Sequence, residues 1–175
     1  MPHFEYTAGR CGDDGFMITE SAEQTRELGR NLADVLRSGD TVLLRGELGA
    51  GKSELVRGIA EGLGISETVT SPSFTILNQY ESGRIPLYHF DWYRLESSEE
   101  LYELGLEEYL GGDGIAAVEW PERCEDAIPD KYLEIRMENR GGEIRWIDLQ
   151  GRGGFQLPEK PAALHTDEGG HRTAI

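Results

Sequence analysis

Residues 46–53 read Gly46-Glu47-Leu48-Gly49-Ala50-Gly51-Lys52-Ser53. They decide the fold, because Gly, four residues, then Gly-Lys-Ser/Thr is the pattern of a phosphate-binding P-loop. Gly49 and Gly51 can take backbone angles closed to other residues, which turns successive N–H groups inward toward the α- and β-phosphates of a nucleotide. Lys52 then reaches the β- and γ-phosphates. The Ser53 hydroxyl is placed to ligate a Mg²⁺ bridging them, and the following helix aims its positive end at the same charge. Such a loop needs a strand before it and a helix after it. Asp40 to Arg45 is a short β-prone run, and Leu55, Val56, Ile59, Ala60 and Leu63 recur at helical spacing until Gly62 and Gly64 stop the helix. The competing reading is a glycine-rich turn that merely carries a lysine.

Outward from this unit, Leu28, Leu32, Val35 and Leu36 lie on one face of a helix from Ser21 to Leu36, with Thr19 or Ser21 as N-cap. Gly15 to Ile18 fits a short first strand. After the P-loop helix, Thr68 to Phe74 is a polar stretch in which Pro72 bars helix. Its hydroxyls suit phosphate, metal or water, or simply a connecting loop. Phe74, Ile76 and Tyr80 alternate with polar residues, Glu81 to Arg84 turns, and Ile85 to Asp91 returns as the second strand of a hairpin. Ser97 and Glu100 form a capping-box pair ahead of a helix over 98–110 that Gly111 and Gly112 end. Ile115 to Val118 is four apolar residues followed by Glu119, the pattern of a buried parallel strand with its acid at the ligand-binding C-terminal end. Leu133 to Glu138 and Glu143 to Leu149 form a second hairpin at a sheet edge. From Gly151 on, Gly, Pro and charged residues read as a mobile tail over 151–175.

The chain has 175 residues, enough for one domain that buries about two thirds of its unfolded surface. Cys11 and Cys124 show no zinc or disulfide spacing. No leader or apolar run long enough to cross a bilayer is present, so no membrane role is expected and the compartment read is the cytoplasm. The net charge of −16 opposes unassisted binding to a polyanion. A solvated surface, adaptation to salt and docking onto a basic partner all remain open for so much acid.

Mg²⁺ wants hard oxygen ligands, and hydrolysis needs an oriented water. Asp91 and Glu119 each follow a strand. The purer apolar strand favours Glu119 as the acid on the metal side, leaving Asp91 to position water or the switch loop; either could instead cap a neighbouring turn. His89 reads equally as a packed residue or a catalyst, and Trp92 and Trp120 as core or platform aromatics. Base contacts are expected near Ser21 and from Arg140 or Arg145.

Gly46 to Ser53, Thr70-Ser71-Pro72-Ser73-Phe74, Tyr88-His89-Phe90-Asp91-Trp92-Tyr93-Arg94-Leu95 and Val118-Glu119-Trp120-Pro121-Glu122 together resemble the TsaE (YjeE) family, the bacterial ATPase of tRNA threonylcarbamoyladenosine (t6A) biosynthesis. The likeness runs in order from about Thr19 to Leu149. It implies an α/β, P-loop NTPase-like three-layer fold with a mixed, partly parallel sheet; the length and the composition after Gly151 put that one domain at residues 1–150. It implies ATP held by Glu47, Leu48, Gly49, Ala50, Gly51, Lys52, Ser53 and Glu54, with Mg²⁺ on Ser53 and Glu119. It implies Asp91 and Lys52 as the residues of turnover, and Thr70 to Phe74 as a switch-like loop. It implies the partners TsaB and TsaD, with weak hydrolysis by the chain alone and tRNA met only indirectly. Ser53 stands where most relatives have Thr, which keeps the hydroxyl. The alternative is a small P-loop kinase acting on a small molecule. Such enzymes usually carry an Arg-rich lid, and residues 96–122 hold no Lys or Arg.

Overall fold

The computed structural model describes Arg10–Cys11 and residues 16–158. Its strands are β1 (Arg10–Cys11), β2 (Met17–Thr19), β3 (Thr41–Arg45), β4 (Leu77–Tyr80), β5 (Leu87–Asp91), β6 (Ile115–Glu119), β7 (Tyr132–Asn139) and β8 (Arg145–Arg152). The helices are α1 (Ala22–Val35), α2 (Lys52–Gly62) and α3 (Ser98–Glu103). One sheet holds all eight strands in the order β1-β2-β8-β7-β3-β6-β5-β4. Its centre, β7-β3-β6-β5, is parallel, and antiparallel strands flank it on both sides.

The P-loop strand β3 lies between β6 and β7 and is buried on both faces. Val42 and Leu44 face α1 and α2, where Leu28, Leu32, Leu55 and Ile59 pack. Leu43 faces the opposite layer with Phe90, Val118 and Leu101. Helices on both faces of a parallel sheet explain why β3 and β6 read as unbroken apolar runs. The three-layer α/β expectation stands.

Helix α1 begins at Ser21, whose hydroxyl accepts from the Gln24 N–H. Thr19, the other candidate cap, instead bonds its hydroxyl to that of Thr25 at 2.8 Å. Helices α1 and α2 touch through glycine. A Cβ on Gly29 would lie 2.3 Å from the Leu55 carbonyl oxygen, and one on Gly58 would lie 2.0 Å from that of Arg26. No real side chain fits at such distances, so the two backbones meet directly.

Several expectations change. The helix over 98–110 breaks at Gly105 (φ +66°), giving α3 and then a 3-10 turn over Leu106–Tyr109. Ser97 makes no capping bond, and Glu100 instead accepts from the Glu96 N–H. Strand β4 starts at Leu77, because Ile76 has φ +66° and Phe74 projects into solvent. The hairpin β4–β5 still forms, pairing Leu77 with Phe90 and Tyr80 with Leu87. The strand expected from Gly15 to Ile18 is β2, Met17–Thr19, and it is not the first, because β1 precedes it; Gly15 is outside the described residues. The C-terminal hairpin is not at the sheet edge as expected: β7 belongs to the parallel core, β8 flanks it, and β2 and β1 extend the sheet beyond β8. The expected boundary at 150 falls inside β8: Gly151 pairs with Leu133, and Phe155 is buried in the α1–α2 core. Residues 159–175 are outside the described residues.

Candidate nucleotide site

The end of β3 delivers the chain into the loop, and two glycines make its shape possible. A Cβ on Gly46 would sit 2.5 Å from the Met137 carbonyl oxygen, so the loop presses on β7. Gly51 has φ +97° at the N-cap of α2, a conformation that side chains disfavour. Gly51 offers α2 no side-chain cap. The first N–H groups of the helix are therefore left for another acceptor, which fits an anionic phosphate.

Above the loop lies a cleft of about 310 Å³. Residues 48–54 form its floor, and Ser71, Ser73, Asp91, Glu119, Trp120 and Arg145 complete the wall. Lys52 and Arg145 are the basic side chains among them. Lys52 is 5% exposed. Its Nζ donates to the carbonyls of Gly46 and Glu47 and lies 4.1 Å from the centre of the Trp120 ring. Burial pushes the Lys52 ammonium below its usual range, and the charges of Glu119, Glu122 and Asp91 partly offset this.

The two acids are brought side by side by sheet register, with Asp91 of β5 directly opposite Glu119 of β6. Both are almost fully buried. Asp91 accepts from the Tyr93 N–H at 2.9 Å, and Glu119 Oε1 lies 2.8 Å from His89 Nε2. The next residue, Trp120, has φ +58°, which strains a bulky side chain. Its ring fills the space between Lys52 and Tyr93, whose ring centre is 5.0 Å away.

The polar stretch after α2 reaches the same cleft. Thr70 is pinned to β4, its N–H donating to Tyr80 Oη and its carbonyl accepting from Asn78 Nδ2. From that anchor Ser71 and Ser73 line the cleft, their hydroxyls 2.7 Å apart. Phe74 lies outside it, 84% exposed, with the Arg94 guanidinium 4.3 Å from its ring centre.

The other expected residues divide. Glu54 lines the cleft, but its carboxylate is held by Arg26 at 3.0 Å and by Arg57, so it ties α2 to α1. Glu47 borders a second hollow of about 460 Å³ on the other side of the loop, against Met137 and Asn139. Arg145 reaches the cleft, and a small recess joins it to Ala22, Thr25 and Gly51, next to Ser21. Arg140 does not: it stacks on Trp146 and pairs with Glu138 at 2.7 Å. Trp92 belongs to the core under the sheet, while Trp120 belongs to the site.

A family model described as threonylcarbamoyl adenosine biosynthesis protein TsaE matches residues 19–147. The chain belongs to the TsaE family. It is 42% identical over 129 residues to the tRNA threonylcarbamoyladenosine biosynthesis protein TsaE of Bacillus subtilis (strain 168), covering 74% of this chain and 80% of that one. The protein of the same description from Nostoc sp. (strain PCC 7120) is 51% identical over 117 residues, covering 65% and 71%. The crystal structure of Bacillus subtilis YdiB superposes with a TM-score of 0.68 at 37% identity, over 79% of this chain and 85% of that one. Every residue that lines the cleft falls inside the TsaE match. No helix among the described residues is long and apolar enough to cross a membrane.

What sequence reasoning left undecided in this TsaE-family chain is His89. The structure puts it against Glu119. Its alternation with Asp91 along β5 was the available signal, since residues two apart on a strand share a face.

Proposed function

We propose that the protein is a Mg²⁺-dependent ATPase that supports t6A formation by a TsaB/TsaD threonylcarbamoyl-transfer complex in the cytoplasm. The observation that carries this reading is the convergence of an uncapped P-loop helix, Lys52 and the Asp91/Glu119 pair on one cleft. Nucleotide phosphates would replace the Gly46 and Glu47 carbonyls as acceptors for Lys52, and would take the free N–H groups of the first α2 turn. Ser53 and Glu119 suit a small hard cation: they offer a hydroxyl and a carboxylate, and such ions complete their shell with phosphate oxygens and water. Ser53 and Glu119 would hold such a cation, which would supply charge neutralisation at the phosphates. Asp91, held through the Tyr93 N–H, is the residue left to orient the attacking water.

Hydrolysis would reset Ser71 and Ser73, and through the same loop the exposed Phe74, so nucleotide state can be read from outside. With a net charge of −16, tRNA would be handled by the partners rather than by this chain. The test combines binding and turnover. Binding of a fluorescent ATP analogue is titrated with and without Mg²⁺, and hydrolysis is measured with and without TsaB and TsaD. Glu119→Gln should lose the Mg²⁺ effect on binding, whereas Asp91→Asn should keep binding and lose turnover. Hydrolysis that persists at the parent rate in Asp91→Asn, with or without partners, would refute the assignment of the acids.

A further inference from the structure

His89 is fully buried at the centre of β5, and its position is hard to explain by packing. Nε2 lies 2.8 Å from Glu119 Oε1, yet Nδ1 is buried with no hydrogen-bond partner. An apolar side chain of that size would fill the space without orphaning a polar atom. Glu119 carries acceptor oxygens, so Nε2 is the donor in the pair, and Nδ1 is the nitrogen left without a partner.

The register of the sheet makes the contact specific. His89 sits opposite Ala117, and Asp91 sits opposite Glu119, so His89 reaches diagonally across to Glu119 past one of the two alanines of β6. The last torsion of a glutamate side chain is by itself broad and roughly two-fold, so it does not fix which oxygen faces a given neighbour. One oxygen of Glu119 is committed to the imidazole, which leaves Oε2 as the oxygen available to the cleft that Glu119 lines.

We propose that His89 is a positioning residue for Glu119: by donating to Oε1 it fixes the carboxylate so that the other oxygen is presented to a divalent cation bound with nucleotide. Carboxylates at metal sites are commonly oriented by such outer partners, whose loss weakens metal affinity about 10–100-fold. The proposal rests on the Mg²⁺–nucleotide reading above.

The test uses the full chain and three variants. His89→Leu removes the donor. His89→Asn keeps polarity, but its amide is too short to stand at the Nε2 position. His89→Gln can place an amide N–H near that position. The apparent Mg²⁺ affinity is read from the gain in fluorescent ATP-analogue binding over a Mg²⁺ series, and binding in EDTA and the melting temperature are read alongside. The expected result is an apparent Mg²⁺ affinity about 10–100-fold weaker in His89→Leu and His89→Asn. Binding in EDTA should stay within about twofold of the parent, and His89→Gln should recover most of the Mg²⁺ effect. Should His89→Leu fail to fold, His89→Asn against His89→Gln carries the comparison. An unchanged Mg²⁺ dependence in the variants overturns the proposal. So does an equal loss of binding in EDTA, which marks a structural role, and so does failure of His89→Gln to recover. If the parent itself shows no Mg²⁺ effect, the underlying metal reading has failed instead.

Discussion

Gly58→Ala is the change for which local and tertiary reasoning disagree in sign. Gly58 lies inside α2, where alanine is intrinsically better by about 1 kcal/mol. Taken locally, the substitution should stabilise. In the fold, the added Cβ would lie 2.0 Å from the Arg26 carbonyl oxygen and 2.8 Å from the Arg26 carbonyl carbon. Those are backbone atoms of α1, so no side chain can swing away, and the helices must part by roughly an ångström. A gap of that size forfeits up to about half of the dispersion energy across the contact, and overpacked cores lose about 1–3 kcal/mol or more. The layer that opens includes Leu28, Leu32, Leu55 and Ile59, all fully buried. Because the added Cβ meets backbone, the upper end of that range, about 3 kcal/mol, applies, and after the helix-propensity gain of about 1 kcal/mol is subtracted Gly58→Ala should cost about 2 kcal/mol. With a urea slope of about 2 kcal/mol/M, the unfolding midpoint falls by about 1 M. Because α2 carries Lys52 and Ser53 in its first turn, nucleotide affinity should fall in parallel. Gly105→Ala is the control: its φ is +66° but no atom lies within 4 Å of the added Cβ. It should lose only about 1 kcal/mol of backbone strain and leave nucleotide affinity alone. A midpoint for Gly58→Ala equal to or above the parent's would refute the close-packed helix pair.

Two further outcomes follow from named contacts. Lys52→Ala should weaken nucleotide binding by about 10–100-fold, the range for losing a charge-assisted bond of about 1.5–3 kcal/mol, and should abolish turnover. Its melting temperature should stay near the parent's, since a desolvated cation is removed along with its bonds to Gly46 and Glu47; calorimetry and analogue titration decide both halves. Glu134 is buried on β7, which would raise its carboxyl. The Arg45 bond at 2.7 Å and the charges of Arg136, Arg45 and Arg152 nevertheless hold it below 4.5. A lowered folded-state value means that its stabilisation is present above the unfolded value and is lost as pH falls through the lower one. Glu134→Gln should therefore cost about 1.5–3 kcal/mol at pH 7 and progressively less below pH 4.5. Urea midpoints over a pH series check this, and an equal gap between parent and variant at pH 7 and pH 3 contradicts it.

The parts of the site that lie within one strand and its following turn were legible in the sequence. The P-loop, its flanking β3 and α2, and the acids at the ends of β5 and β6 are all written in neighbouring residues. Elsewhere the local signal misled. The apolar spacing of Leu101, Leu104 and Leu110 predicts one helix over 98–110, but Leu104 is 58% exposed and Gly105 breaks the run. Phe74 continues the alternation of a strand, but the chain turns at Ile76 and the ring goes to solvent. Phe155 sits in a segment poor in apolar residues, yet a pocket formed by other elements buries it.

The sequence by itself determined that a glycine-rich loop of P-loop pattern joins a buried strand to an amphipathic helix, and that two acids terminate strands. Periodicity, glycine and capping chemistry act over a few residues, so a linear text records them. Only the tertiary structure decided that β3 runs between β6 and β7, that Asp91 stands opposite Glu119, and that His89 reaches Glu119. It also decided that Gly29 and Gly58 are a helix contact rather than two weak points. Each of these depends on which strand or helix lies alongside another, a choice made by burying two apolar faces of one sheet at once, and no short stretch of the chain contains both partners.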